Sequence, residues 1–150
     1  EHAWRYFEVH AGQRLTLFNY FLVASGAIAA GLAATLQGTQ RFASLGVVLG
    51  LLLVLVSFIF WKLDQRSSFF VKHAESALAE TEQAFPAVEA FLFSREPHAT
   101  REAAEKASWW SRHWSYAAAF RFVFVAMGLF GVAGSILSGL QFAGVLSWGR

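Results

Sequence analysis

The chain has 150 residues, of which 56% are hydrophobic and 15% are charged. Soluble domains carry about 25% charged residues, so this composition disfavours an ordinary soluble fold. The net charge is only +2, and the absence of cysteine excludes disulfides and a thiol nucleophile. The composition therefore favours an all-α integral membrane protein.

Three apolar blocks are long enough to cross a bilayer, since a helix needs about 20 such residues to span its hydrocarbon core. The predicted spans are residues 15–36, 42–63 and 117–140. Buried helices of a soluble domain are the alternative, but the chain offers no domain large enough to hide three of them. We therefore expect three transmembrane helices.

The basic residues predict the orientation of these spans. Ten of the twelve lie in residues 1–14 and 62–121, whereas Arg41 and Arg150 are the other two. Because positive charge stays on the cytoplasmic side, the N-terminus and the middle segment are expected inside. The loop 37–41 and the tail 141–150 are then external.

The segments outside the spans are predicted to be helical too. In residues 1–14, Trp4, Phe7 and Ala11 share one face, which is typical of a short helix at the membrane surface. Residues 64–115 keep a helical period and form a predicted cytoplasmic hairpin, whose first arm extends the second span. Pro86 should kink this arm or end it locally, and Pro97 should mark the reversal of the chain.

No pattern in the sequence indicates catalysis. Zinc-protease, serine-hydrolase and phosphate-loop motifs are all absent, and the five histidines are scattered rather than spaced as metal ligands. We therefore predict a non-enzyme with no cofactor and no metal site.

Small residues recur at four-residue spacing within the spans, as in Gly26/Ala30 and Gly131/Ser135. Such pairs let helix backbones approach closely, which drives association in lipid. Three spans offer more of these faces than one bundle uses, so we predict a homo-oligomer. Asn19, as a polar residue inside a span, should face another helix or the mouth of a pore. The candidate pore or helix-packing residues are Asn19, Gly131, Gly134, Ser135 and Ser138.

Basic residues dominate close to the predicted membrane surface, whereas the distal hairpin is acidic. Topology and anionic lipid explain such a distribution, and an anion-binding surface is the alternative. The candidate ligand-binding residues of this basic collar are Arg5, Arg14, Arg66, Lys72 and Arg112. Trp109 and Trp110 lie beside it, either as interfacial anchors or as stacking platforms for the bases of single-stranded nucleic acid.

Asp64 is placed where the second helix is expected to leave the bilayer, so it needs a cationic partner. Arg14, Arg112 and Arg121 are the candidates. A pair of this kind would join the spans to the hairpin, which makes Asp64 a candidate residue for coupling a cytoplasmic signal to the spans.

Two motifs of the chain carry a family resemblance. They are Trp4-x2-Phe7-x2-His10-Ala11-x-Gln13-Arg14-x3-Phe18-Asn19-Tyr20-Phe21-Leu22-Val23 and Phe60-Trp61-Lys62-Leu63-Asp64-x-Arg66-x5-Lys72-x-Ala74-Glu75-x-Ala77-Leu78-x3-Glu82. These motifs resemble RipA-like small bacterial inner-membrane proteins. The overall plan also resembles that of the membrane effectors of Hailong anti-phage systems.

The resemblance implies an oligomeric channel that depolarises the host during anti-phage defence. It also implies a partner nucleotidyltransferase, whose short single-stranded DNA product or another nucleotide signal would control the channel through the basic collar. The alternative is a non-conducting scaffold that recruits a soluble partner through its hairpin. A transporter is disfavoured because no broken helix or intramembrane charge marks a substrate site.

Overall fold

The computed structural model of the chain describes residues 2–84 and 116–146. These residues form helices and no strand; the helices are α1 (His2–Gln37), α2 (Ala43–Ala84) and α3 (Tyr116–Phe142), with a 3-10 turn at Gln40–Phe42. All three α-helices are long and apolar enough to cross a membrane. The predicted all-α class with three spanning helices is confirmed, and the protein is a multi-pass membrane protein. Its orientation stays a prediction.

Helix α1 differs from the expected arrangement at its N-terminal end. Instead of a separate surface helix over residues 1–14, one continuous helix runs from His2 through the first span. The ring of His10 stacks on that of Phe70 in α2, with centroids 5.5 Å apart. Because this contact pairs the N-terminal part of α1 with the extension of α2, the stretch of α1 from His10 to Arg14 runs alongside α2.

Helix α2 continues well beyond the predicted second span. Its 42 residues correspond to roughly 63 Å at 1.5 Å per residue, about twice the thickness of the hydrocarbon core. Residues 64–84 therefore form a direct helical extension of the span. The remainder of the predicted hairpin, with Pro86 and Pro97, lies outside the described residues.

Buried residues recur along each helix at spacings of mostly three and four residues. They include Phe21, Ser25, Leu32 and Thr35 in α1, Gly46, Gly50, Leu53 and Ser57 in α2, and Phe120, Phe124, Gly131, Gly134, Ser138 and Gln141 in α3. A repeat of this kind produces the seam of left-handed helix packing. Helix α2 packs against both of its neighbours, which contact each other much less.

Glycines bring α2 and α3 into direct backbone contact. A Cβ atom placed on Gly50 would lie 2.7 Å from the carbonyl oxygen of Gly131, and one on Gly131 would lie 2.7 Å from that of Gly50. The Ser135 hydroxyl donates a hydrogen bond to the Val47 carbonyl at 3.2 Å. Small residues are therefore required on both sides of this contact.

The other small residues of α3 also pack inside the protomer. A Cβ on Gly134 would collide with Leu32 of α1, and Ser138 lies against Gly46 of α2. Of the candidate pore or packing residues, Gly131, Gly134, Ser135 and Ser138 thus pack the three helices together, and they do not lie on the outer surface.

Two glutamine side chains tie the helices together at the end opposite the α2 extension. Gln40 Nε2 donates to the carbonyl of Phe142 at 3.1 Å, and Gln141 Nε2 donates to that of Gly38 at 3.2 Å. The chain leaves α3 through Gly144, whose φ of 74° favours glycine. These bonds attach the loop after α1 to the end of α3.

Candidate functional site

A buried ion pair joins α1 to α2 where the bundle passes into the α2 extension. Arg14 Nε donates to Asp64 Oδ1 at 2.7 Å. The two side chains are 13% and 4% exposed, respectively. Of the three partners considered for Asp64, the structure therefore gives it Arg14. Arg121 is exposed on α3, and Arg112 lies outside the described residues.

Arg14 also contacts the third helix. Its guanidinium carbon lies 5.3 Å from the ring centroid of Phe120 in α3, within the range of a cation–π interaction. Phe120 also stacks on Phe18 of α1, with centroids 3.9 Å apart. Sequence reasoning missed Phe120, although it begins the buried three–four spacing of α3. Through these contacts, Arg14 links all three helices at one level.

The ion pair is not completely satisfied by its surroundings. Within the described part of the chain, Arg14 Nη2 and Asp64 Oδ2 are buried without a hydrogen-bond partner. An incompletely paired charge in a low dielectric is costly. This pair therefore depends on the present alignment of α1 and α2, and a change in that alignment alters its energy.

Of the other cations of the basic collar, those that the structure describes do not join this cluster. Arg5, Arg66 and Lys72 are exposed on α1 and the α2 extension. The guanidinium of Arg66 lies 5.7 Å from the ring centroid of Phe70. These three side chains are accessible to an anionic ligand, whereas Arg14 is occupied by Asp64. Arg112, Trp109 and Trp110 fall outside the residues that the structure describes.

Asn19 lies on the outside of the bundle. It is exposed and makes no hydrogen bond to any described residue. It belongs to an exposed stripe of mostly small or polar residues that follows the helical period along α1; this α1 outer face comprises Gly12, Thr16, Asn19, Val23, Gly26, Ala30 and Ala34.

Large exposed apolar side chains on α1 end at Val23 and include Leu15, Tyr20 and Leu22. The outer surfaces of α2 and α3 carry such side chains along their whole spans, among them Leu45, Val48, Leu51, Leu55, Phe122, Leu129, Phe130 and Ile136. Large apolar side chains suit contact with lipid chains, whereas small residues suit contact with another helix. The sequence signals for the α1 outer face were the Gly26/Ala30 pair and Asn19, but their position relative to the bundle was not evident.

Comparison with known proteins finds no matching protein-family model and no matching solved structure. Among curated proteins, CD-NTase-associated protein 19 of Escherichia coli is 36% identical over 132 residues, which cover 88% of this chain and 85% of the relative. The resemblance to Hailong effectors stays a prediction. At this identity and coverage, the chain belongs to the family of CD-NTase-associated protein 19.

Proposed function

We propose that the protein is an oligomeric, non-enzymatic effector of anti-phage defence that conducts ions under the control of a nucleotide signal. The name of its relative associates that protein with a CD-NTase, which supports an effector linked to a nucleotidyltransferase signal. Channel activity and its control by a cytosolic ligand are our own extension of this association.

The α1 outer face is the observation that carries the proposal. An amide such as that of Asn19 is costly in hydrocarbon, so Asn19 needs water or a second protomer. The small residues that follow it, from Gly26 to Ala34, permit close helix contact. Among the residues that the structure describes, none covers this face. Oligomerisation around α1 accounts for both features.

In such an oligomer, the polar part of the α1 outer face lines a pore. Thr16 and Asn19 project from it on the predicted cytoplasmic side, whereas Val23 is its largest apolar member. No charged side chain of α1 lies between Arg14 and Gln37. A pore without charged rings or a carbonyl filter is weakly selective, and apolar side chains close it.

In this proposal, binding of the nucleotide signal acts on the pore through α2 and the Arg14–Asp64 ion pair. The α2 helix is continuous from the membrane to Ala84. A short single-stranded DNA or another nucleotide made by a partner nucleotidyltransferase binds the exposed Arg5, Arg66 and Lys72, with Arg112, Trp109 and Trp110 as further candidates. Movement of α2 then changes the alignment of Asp64 with Arg14 on the pore-lining helix.

A pair of matched substitutions tests the pore-lining role of α1. Ala30 on the α1 outer face and Ala133 on α3 are both exposed alanines of the protomer. Since leucine at position 30 blocks close contact between α1 helices, Ala30→Leu should abolish membrane depolarisation and toxicity in bacteria that express the protein. The leucine introduced by Ala133→Leu would face lipid, so this substitution should leave depolarisation and toxicity unchanged. A voltage-sensitive dye and colony counts measure the two effects.

The scaffold alternative gives a different result. A non-conducting scaffold would not depolarise the membrane at any expression level, and neither alanine substitution would then matter. If the Ala30→Leu and wild-type proteins depolarised the membrane equally at equal membrane abundance, α1 would not line the pore.

A further inference from the structure

A cavity lies between α2 and α3 on a different side of the bundle from the α1 outer face. Its volume is about 150 Å³, and its walls are mainly apolar, including Phe58 of α2 with Val125 and Gly128 of α3. A cavity of about this size accommodates a benzene-sized apolar group. It is partly open to the surroundings, so a hydrocarbon chain can enter it from the bilayer.

Two polar side chains in the wall of this cavity have no partner. Ser57, which is 3% exposed, has a buried hydroxyl with no hydrogen-bond partner among the described residues. The indole Nε1 of Trp61, one turn away, is buried and unpartnered in the same way. Each can donate a hydrogen bond, and leaving a donor unpaired in hydrocarbon is costly. Neither atom opens onto the cavity, whose accessible lining is apolar, so the cavity itself suits a hydrocarbon chain.

Two cations lie one helical turn beyond the cavity. Lys62 follows Phe58 by four residues on α2, and Arg121 precedes Val125 by four residues on α3. Because the two helices are antiparallel, both cations lie towards the same end of the bundle, and both are exposed. The Lys62 ammonium lies 5.6 Å from the Trp61 ring centroid and donates to Gln65 Oε1 at 3.3 Å.

We propose that this cavity binds an anionic glycerophospholipid of the bilayer. One acyl chain enters the cavity, and the phosphate lies at Lys62 and Arg121. The order of apolar wall and cations along the bundle matches the order of acyl chain and phosphate in such a lipid. Basic pockets between transmembrane helices are known to bind anionic headgroups. The site is independent of the proposed channel function and of the membrane orientation.

Native mass spectrometry of the full-length protein tests the headgroup contacts. The purified protein is titrated with phosphatidylglycerol and, separately, with phosphatidylcholine carrying the same acyl chains. We expect the anionic lipid to bind more tightly. Removing one cation with Lys62→Gln or Arg121→Gln should weaken its binding by about fivefold, because a basic residue near the surface contributes a comparable factor. Binding of phosphatidylcholine should change little.

A second pair of variants tests the cavity itself. Nothing lies within 4 Å of a Cβ on Gly139, and a Cβ on Gly128 meets only Ser57 at an ordinary 3.7 Å. Gly128→Leu should fill the cavity and reduce the binding of both lipids, whereas Gly139→Leu on the same helix should not.

Several results would overturn the lipid site. Equal binding of the two lipids by the wild type, or unchanged phosphatidylglycerol binding in both cation variants, excludes the headgroup contacts. A Gly128→Leu protein with a smaller oligomeric mass but unchanged lipid binding would assign the cavity to a subunit contact instead. If Gly128→Leu does not fold, the cation variants decide, since Lys62 and Arg121 are exposed and their replacement leaves the packing intact.

Discussion

Replacing Asp64 with alanine is expected to lower the free energy of unfolding by about 3–5 kcal/mol, the usual cost of removing one partner from a buried ion pair. The cost arises because Arg14, whose side chain is 13% exposed, loses its carboxylate and stays among apolar neighbours. Thermal unfolding of the detergent-purified protein, followed by tryptophan fluorescence, measures the effect. Glu8→Ala, which removes an exposed carboxylate of α1, is the control and should change little.

A variant that replaces both Arg14 and Asp64 distinguishes the cost of an unpaired charge from a general loss of packing. Replacing both partners, as in Arg14→Met/Asp64→Leu, leaves no unpaired charge, and such replacements are often neutral or stabilising. We therefore expect most of the lost stability to return. A double variant that is as unstable as Asp64→Ala would show that the ion pair itself is not what the site depends on.

Gly50→Ala is expected to destabilise the protein by about 1–3 kcal/mol, as overpacking of a tight core does. The added methyl would meet the Gly131 carbonyl oxygen at 2.7 Å and the Ser135 backbone nitrogen at 2.8 Å. Because both are backbone atoms, α2 and α3 must move apart. The same unfolding measurement gives the size of the effect, and size-exclusion chromatography shows whether the protein stays folded.

Gly139→Ala is the matched control for that substitution. A Cβ at position 139 has nothing within 4 Å, and alanine is favoured over glycine inside a helix by up to about 1 kcal/mol. Gly139→Ala should therefore be neutral or slightly stabilising. If both alanine variants were equally stable, the close α2–α3 contact would be wrong.

Several features of the fold could be predicted from the sequence because they depend on length and local composition. The apolar blocks predicted three spanning helices, and the uninterrupted helical period after Lys62 predicted the extension of α2. The position of Asp64 where the second helix is expected to leave the bilayer also predicted that it needs a cationic partner. Each of these inferences requires only the residues of one segment.

The remaining features depend on how the helices are rotated about their axes. The pairs Gly26/Ala30 and Gly131/Ser135 have the same spacing in the sequence, but the first is largely exposed and the second packs within the protomer. For the same reason the sequence could not choose between Arg14 and Arg121 as the partner of Asp64. The cavity at Ser57 and Trp61 needs two helices to form, so neither segment alone indicates it.

Ion flux through the purified protein in liposomes tests the central claim most directly. Flux should occur and should respond to short single-stranded oligonucleotides at low salt. That response should weaken steeply as salt rises, because phosphate contacts release counterions. Arg66→Glu and Lys72→Glu should remove the response and leave the flux itself intact. No flux under any condition, from protein shown to be folded and oligomeric, would contradict the channel and favour the scaffold.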